Sequence, residues 1–186
     1  MAGEFVCPWW IGYVLVCPAR RWLNDPAKLL APYLREGMTV LEPGPGMGFF
    51  TLELARLAGP SGRVIAVDIQ PKMVAGLRRR AGKAGLAERI DARLARPGSL
   101  GLAGLENTVD FALAFAVVHE FPDAGPFFAE VAPALKPGGA LLFAEPSGHV
   151  TQPQFEAELA AAAAAGFLLE TRPAIRRNHA ALLRKV

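Results

Sequence analysis

The chain has 186 residues and a formal net charge of +3. That length supports one domain with a full core and leaves little room for a second. A hydrophobic fraction of 52% against 20% charged residues excludes a disordered chain. A mild positive balance with no clustered basic face argues against a nucleic-acid partner.

Residues 1–25 read as an aromatic segment ahead of the main domain. Phe5 to Val16 is strongly apolar, but it is too short to span a bilayer and is broken by Pro8 and Pro18. Its early charge is Glu4, and Arg20 and Arg21 follow it, the reverse of a secretory signal. Trp9, Trp10, Tyr13 and Trp22 offer an apolar wall for a substrate, so the segment is expected to act as a lid. The same aromatics suit packing on the domain core, a dimer contact, or peripheral membrane contact with the arginines near headgroups. Cys7 and Cys17 read as free thiols of a cytoplasmic protein, too few to bind zinc. No integral membrane segment is expected, and the chain suits a monomer or a homodimer.

The main domain, 26–186, begins at Asn24-Asp25-Pro26, a helix-start signal. Pro26 to Arg35 reads as a helix, Met38 to Glu42 as the first strand, and Gly48 to Ala58 as the next helix. A Gly59-Pro60-Ser61-Gly62 turn leads to the second strand, Arg63 to Asp68. Pro71 to Ala84 is helical; its Arg78-Arg79-Arg80 run reads as a solvated face, since three successive helical residues cannot share one side. Arg89 to Leu94 is a weak third strand and Val109 to Phe115 a fourth. A helix within Pro122 to Leu135 precedes a fifth strand, Ala140 to Glu145. Pro153 to Ala165 is a helix stopped by Gly166. Leu168 to Arg176 and His179 to Lys185 read as two final strands joined by a hairpin-like turn. The alternation predicts an α/β three-layer sandwich around a mostly parallel sheet, with an antiparallel C-terminal edge pair.

Open sheets of this kind bind ligands beyond the carboxyl ends of their strands. Glu42 ends the first strand, and Gly44, Gly46 and Gly48 follow at alternate positions. Glycine permits positive φ and lets a ligand lie against the backbone. The spacing is G-x-G-x-G, not the dinucleotide fingerprint G-x-G-x-x-G. A pyrophosphate here would be repelled by the Glu42 carboxylate, whereas a cationic ligand would be attracted. Asp68 ends the second strand about twenty residues on, the spacing of a ribose-binding acid, and Ile69 can lie against an adenine face. An Asp at this place also suits a helix cap.

These residues resemble a known family. Val40-Leu41-Glu42-Pro43-Gly44-Pro45-Gly46-Met47-Gly48 resembles motif I of the class I S-adenosylmethionine (SAM)-dependent methyltransferases. Val64-Ile65-Ala66-Val67-Asp68 resembles their second motif, and Val109 to Phe115 their fourth strand. Leu135-Lys136-Pro137-Gly138-Gly139-Ala140-Leu141-Leu142 is similar to the turn and strand that follow. Ala116-Val117-Val118-His119-Glu120-Phe121 is similar to the ubiquinone/menaquinone-biosynthesis type. The resemblance covers about Pro26 to Val186. It implies a seven-stranded Rossmann-like sheet with SAM across the ends of strands one, two and four, against Glu42, Gly44, Gly46, Gly48, Asp68, Ile69 and Phe115. The family often places an acid after strand three for the adenine amino group. This chain has Arg96-Pro97-Gly98-Ser99-Leu100 there, which leaves backbone groups with Ser99 as a helper; Asp91 comes too early.

Methyl transfer from a sulfonium needs alignment above all, and a base only if the nucleophile must lose a proton. His119, just past strand four, is the candidate base, with a helix-capping role as the plain alternative. Trp9, Trp10, Tyr13, His119, Glu145 and His149 are the expected substrate contacts; Glu120 is expected to face solvent, with orienting His119 as the alternative. His179 is expected at the surface, and no metal is expected. The resulting expectation is methyl transfer to a small, apolar or aromatic acceptor. A nucleotide-dependent oxidoreductase and a non-catalytic SAM-binding scaffold are the alternatives.

Overall fold

In a computed structural model of the chain, the described residues are Trp10, Gly12, Val16 and 25–186. They fall into two compact units, one up to Gly98 and one from Ser99 onward. Trp9, Tyr13 and Trp22 lie outside the described residues, and Trp10 is 58% exposed.

The first unit runs α1 (Pro26–Leu30), β1 (Thr39–Pro43), α2 (Thr51–Leu57), β2 (Arg63–Asp68), α3 (Pro71–Lys83) and β3 (Ile90–Leu94). The Asp25 side chain accepts from the Ala27 N–H at 3.1 Å and opens α1. This helix stops at Leu30, short of the expected Arg35. Pro32 is the reason: a proline there has no N–H to give and its ring would strike the preceding turn. β1 pairs in parallel with β2, and β2 with β3. Their apolar runs are covered on one side by α3, where Val74 and Leu77 pack on Ala66 and Ala92. The arginines of α3 are anchors as well as a solvated face. Arg78 donates to the Ala92 carbonyl at 2.6 Å, and Arg80 donates to the carbonyl of Met47 in the glycine turn.

The second unit runs β4 (Val109–Phe115), α4 (Ala124–Ala134), β5 (Leu135–Pro146), α5 (Gln152–Ala164), β6 (Phe167–Thr171) and β7 (Asn178–Lys185). β5 lies parallel to β4 and antiparallel to β7, which pairs antiparallel with β6. β5 begins at Leu135, five residues before the expected Ala140. Lys136 to Gly139 form an irregularity that carries the pairing from Val109–Leu135 to Phe111–Ala140. β6 ends at Thr171 rather than Arg176, because Pro173 cannot donate to a ladder. An edge-to-face series of Phe127, Phe128, Phe143 and Phe167, with Phe155 stacked on Phe143, fills this unit.

Strand order is β3-β2-β1-β4-β5-β7-β6, a seven-stranded sheet. The expected α/β architecture with an antiparallel C-terminal pair is the one observed. No helix among the described residues is long and apolar enough to cross a membrane.

Candidate functional site

In the first unit, β1 delivers Glu42 into the interior and the chain then turns sharply. Gly44, Gly46 and Gly48 have φ of +67°, +55° and +84°. Three left-handed residues at alternate positions cannot continue into a helix, so α2 starts at Thr51 and not at the expected Gly48. The requirement is strictest at Gly48. A Cβ there would lie 2.4 Å from Cδ1 of Leu77, a fully buried side chain. Gly48→Ala is therefore expected to lower stability by about 3 kcal/mol through backbone strain and overpacking. A shift of the urea midpoint checks this, and a change under half that size would contradict the tight packing.

Asp68 joins the turn to the end of β2. Its Oδ2 accepts from the Gly46 N–H at 3.1 Å, and its Oδ1 accepts from the Gln70 N–H at 2.8 Å. Each oxygen keeps a lone pair for an incoming hydroxyl. Burial raises the Asp68 carboxyl above its ordinary value, and the two backbone hydrogen bonds oppose that rise. Ile69 beside it is 38% exposed, a large apolar side chain left facing outward.

Glu42 is only 3% exposed, and its Oε2 has no hydrogen-bond partner among the described residues. Burial pushes its carboxyl up to about 8; the neighbouring Thr51 side chain opposes the rise and the negative charge of Asp68 adds to it. A buried carboxyl with an unused oxygen, next to a turn that exposes backbone, fits a ligand bearing both a cation and a ribose. The donor set of SAM matches that requirement.

In the second unit, Glu145 ends the buried run of β5 and is fully buried. Its Oε1 accepts from the Val118 N–H at 2.7 Å and the Val117 N–H at 3.3 Å. Its Oε2 is bonded to Nδ1 of His119. A carboxylate offers only acceptors, so Nδ1 carries the proton and Nε2 is left for chemistry. This hydrogen bond to Glu145 raises the His119 pKa above the usual histidine value, against the effect of burial. Ala116, at the bend that leads into this segment, has φ of +57°.

The sequence expectation is thus corrected at several residues. Glu145 is an orienting partner of His119: its Oε2 meets Nδ1 and its Oε1 takes two backbone N–H groups. Ser99 donates to Glu130 at 3.1 Å, so its hydroxyl proton is committed within the second unit. His179 is half-buried in β7, where its Nε2 lies 3.1 Å from the Val150 carbonyl and its ring packs on Phe155. Asp91 pairs with Arg63 and Arg93. His149 meets the His119 ring edge-on at 5.6 Å, and Phe115 is half-buried at the end of β4. Among the described residues, no group of three or more His, Cys, Asp or Glu is arranged to hold a metal.

Sequence reasoning missed Glu158 of α5. This residue acts electrostatically on both Glu145 and His119, and its Oε2 is buried without a partner among the described residues. The available signal was an acid in an alanine-rich helix with Gln154 and Ala162, not a basic residue, four positions away.

Comparison with known proteins fits this geometry. Residues 34–172 match the model of the methyltransferase domain family. An arsenite methyltransferase of Halobacterium salinarum is 33% identical over 59% of this chain and 27% of its own length. A ubiquinone/menaquinone biosynthesis C-methyltransferase of Pasteurella multocida is 31% identical over 64% of this chain and 44% of its own. The chain thus spans less than half the length of these two relatives. A crystal structure of a SAM-dependent methyltransferase from Aquifex aeolicus superposes with a TM-score of 0.85 at 26% identity, covering 96% of this chain and 98% of that one. The chain belongs to the methyltransferase domain family, on the class I fold.

Proposed function

We propose that this protein transfers the methyl group of SAM to a small, apolar or aromatic acceptor. The observation that carries the reading is the joined unit of Glu42, the left-handed glycine turn and Asp68, tied by the Gly46–Asp68 hydrogen bond. In this reading Asp68 receives the ribose hydroxyls, Ile69 lies against adenine, and Gly44, Gly46 and Gly48 let the ligand reach the backbone. Glu42 meets the ammonium end, directly or through a water. Bound there, SAM supplies an electrophilic methyl on a sulfonium, which needs no metal. Phe115 borders the cofactor from the end of β4. His119 takes the acceptor's proton on Nε2, and His149 lines the acceptor side.

Glu42, Asp68 and Phe115 lie at the carboxyl ends of their strands, and the glycines, Ile69, His119 and His149 follow the carboxyl ends of β1, β2, β4 and β5, where open α/β sheets place ligands. The arsenite methyltransferase and the ubiquinone/menaquinone biosynthesis C-methyltransferase bear unlike names as methyltransferases, which supports the donor reading more than any one acceptor.

Calorimetric titration with SAM and with NAD(P)H tests the donor. SAM is expected to bind, and Asp68→Ala is expected to weaken it on the order of a hundredfold through lost charge-assisted hydrogen bonds. NAD(P)H binding without SAM binding would point to an oxidoreductase. Formation of S-adenosylhomocysteine with a panel of phenols, quinols, amines and thiols tests turnover. Binding with no product across that panel would favour a scaffold.

A further inference from the structure

Helix α5 carries two glutamates in opposite circumstances. Glu156 is exposed and satisfied: it accepts from both Arg172 guanidinium nitrogens at 2.8 Å and from Gln152 at 2.5 Å. Glu158 has one oxygen buried and no partner for it among the described residues. It lies within electrostatic reach of Glu145 and His119, beyond direct ion-pair distance of either. Glu145 spends both oxygens on backbone N–H groups and Nδ1 of His119. The unsatisfied acceptor in this cluster is therefore Glu158, and a buried acceptor without a donor implies a donor supplied from outside.

We propose that Glu158 is an acceptor-recognition residue: with Nε2 of His119 it takes the N–H or O–H of an amine or hydroxyl substrate and disfavours donor-free, hydrocarbon-like molecules. The inference deepens the methyl-transfer reading and rests on it. Specificity of this kind arises because a substrate lacking the donor leaves the buried Oε2 of half-buried Glu158 unpaired. The titration of the group agrees. Burial first, and then the charge of Glu145, push Glu158 up to about 7, with His119 pulling it down. Near neutrality it both accepts a hydrogen bond and takes up a proton. The other titratable groups around His119 are Glu120, which raises its pKa further, and His149, whose ring meets it edge-on. His179 acts on Glu156 instead.

The test uses the full chain at pH 7, with benzylamine, phenol and toluene as probes of similar shape. Binding is read from the NMR signals of the His119 imidazole. Benzylamine and phenol are expected to shift those signals, and toluene to leave them in place. Glu158→Gln is expected to weaken benzylamine about tenfold, and Glu156→Gln, on the same helix, to leave it unchanged. Toluene binding as well as phenol overturns the proposal, as does an unchanged benzylamine affinity in Glu158→Gln or an equal loss in Glu156→Gln. If Glu158→Gln fails to fold, the wild-type ranking of the three probes decides alone. SAM titration of the same samples separates the two readings. Lost SAM binding with the probe ranking intact sinks the donor assignment, and intact SAM binding without a ranking sinks this one.

Discussion

Replacing Glu42 with glutamine is expected to stabilise the ligand-free protein at pH 8 and to weaken its hold on SAM. The sign follows from linkage. Glu42 is raised from an ordinary 4.5 to about 8 in the folded chain, mainly because burial penalises its charge. Between those values the native state holds a proton that the unfolded state has lost, so stability falls as pH rises. Glutamine never ionises and removes that slope. At pH 7 the variant should be more stable by about 3 kcal/mol, and at pH 5 by only about 1 kcal/mol. Urea titrations at both values check it. Parallel stability curves for wild type and variant would show that Glu42 does not carry the slope.

The same group makes SAM binding depend on pH in the opposite sense. An ammonium beside Glu42 favours the charged carboxylate, so binding below pH 8 expels its proton. Affinity should rise towards tenfold per pH unit between pH 6 and 7.5, beyond which the ligand's own amine begins to deprotonate. Calorimetry in buffers of different ionisation enthalpy should detect release of close to one proton at pH 7. Glu42→Gln should bind SAM more weakly and without that proton. Equal proton release from the variant would place the titrating group elsewhere. On this expectation a lower stability of the ligand-free site at high pH and a preference for a cation share one cause, the buried Glu42 carboxyl.

The legible parts of this molecule were those set by local chemistry. The buried runs Val64 to Asp68 and Ala140 to Glu145 are continuous because both sheet faces are covered, and the glycine spacing announces positive φ directly. Errors fell where a single residue overrode a periodic pattern. Pro32 shortens α1, Gly48 delays α2, and Pro173 trims β6. Partners distant in sequence were not legible. Glu145 and His119 are twenty-six residues apart, and nothing local distinguishes the carboxylate that orients the imidazole from neighbouring Glu120. Nor does position along the chain reveal that the Ser99 hydroxyl donates to Glu130, thirty-one residues away. Arg80 read as a surface charge because its partner, the Met47 carbonyl, belongs to a turn thirty-three residues earlier.

That long-range pairing leads to the other large effect. His119→Asn should lower kcat about a hundredfold or more with amine or hydroxyl acceptors, the usual contribution of a positioned base. Glu145→Gln separates position from proton transfer. A carboxylate accepts from Val118 and from His119 at once, whereas a glutamine amide has one accepting oxygen and must present its NH2 to the other partner. With its oxygen facing the backbone, the substituted amide directs an N–H at Nδ1, which forces the proton of neutral His119 onto Nε2, the atom that should accept. The wild-type acid limb of kcat should lie above the usual histidine value, because the Glu145 hydrogen bond raises His119. In Glu145→Gln the limb should move to lower pH while the plateau falls about tenfold to a hundredfold, with KM little changed. NMR titration of the imidazole supplies the same midpoint without turnover. A lowered plateau with an unmoved limb would assign Glu145 to folding alone, while a lowered limb with a full plateau would show that His119 takes no proton in the reaction.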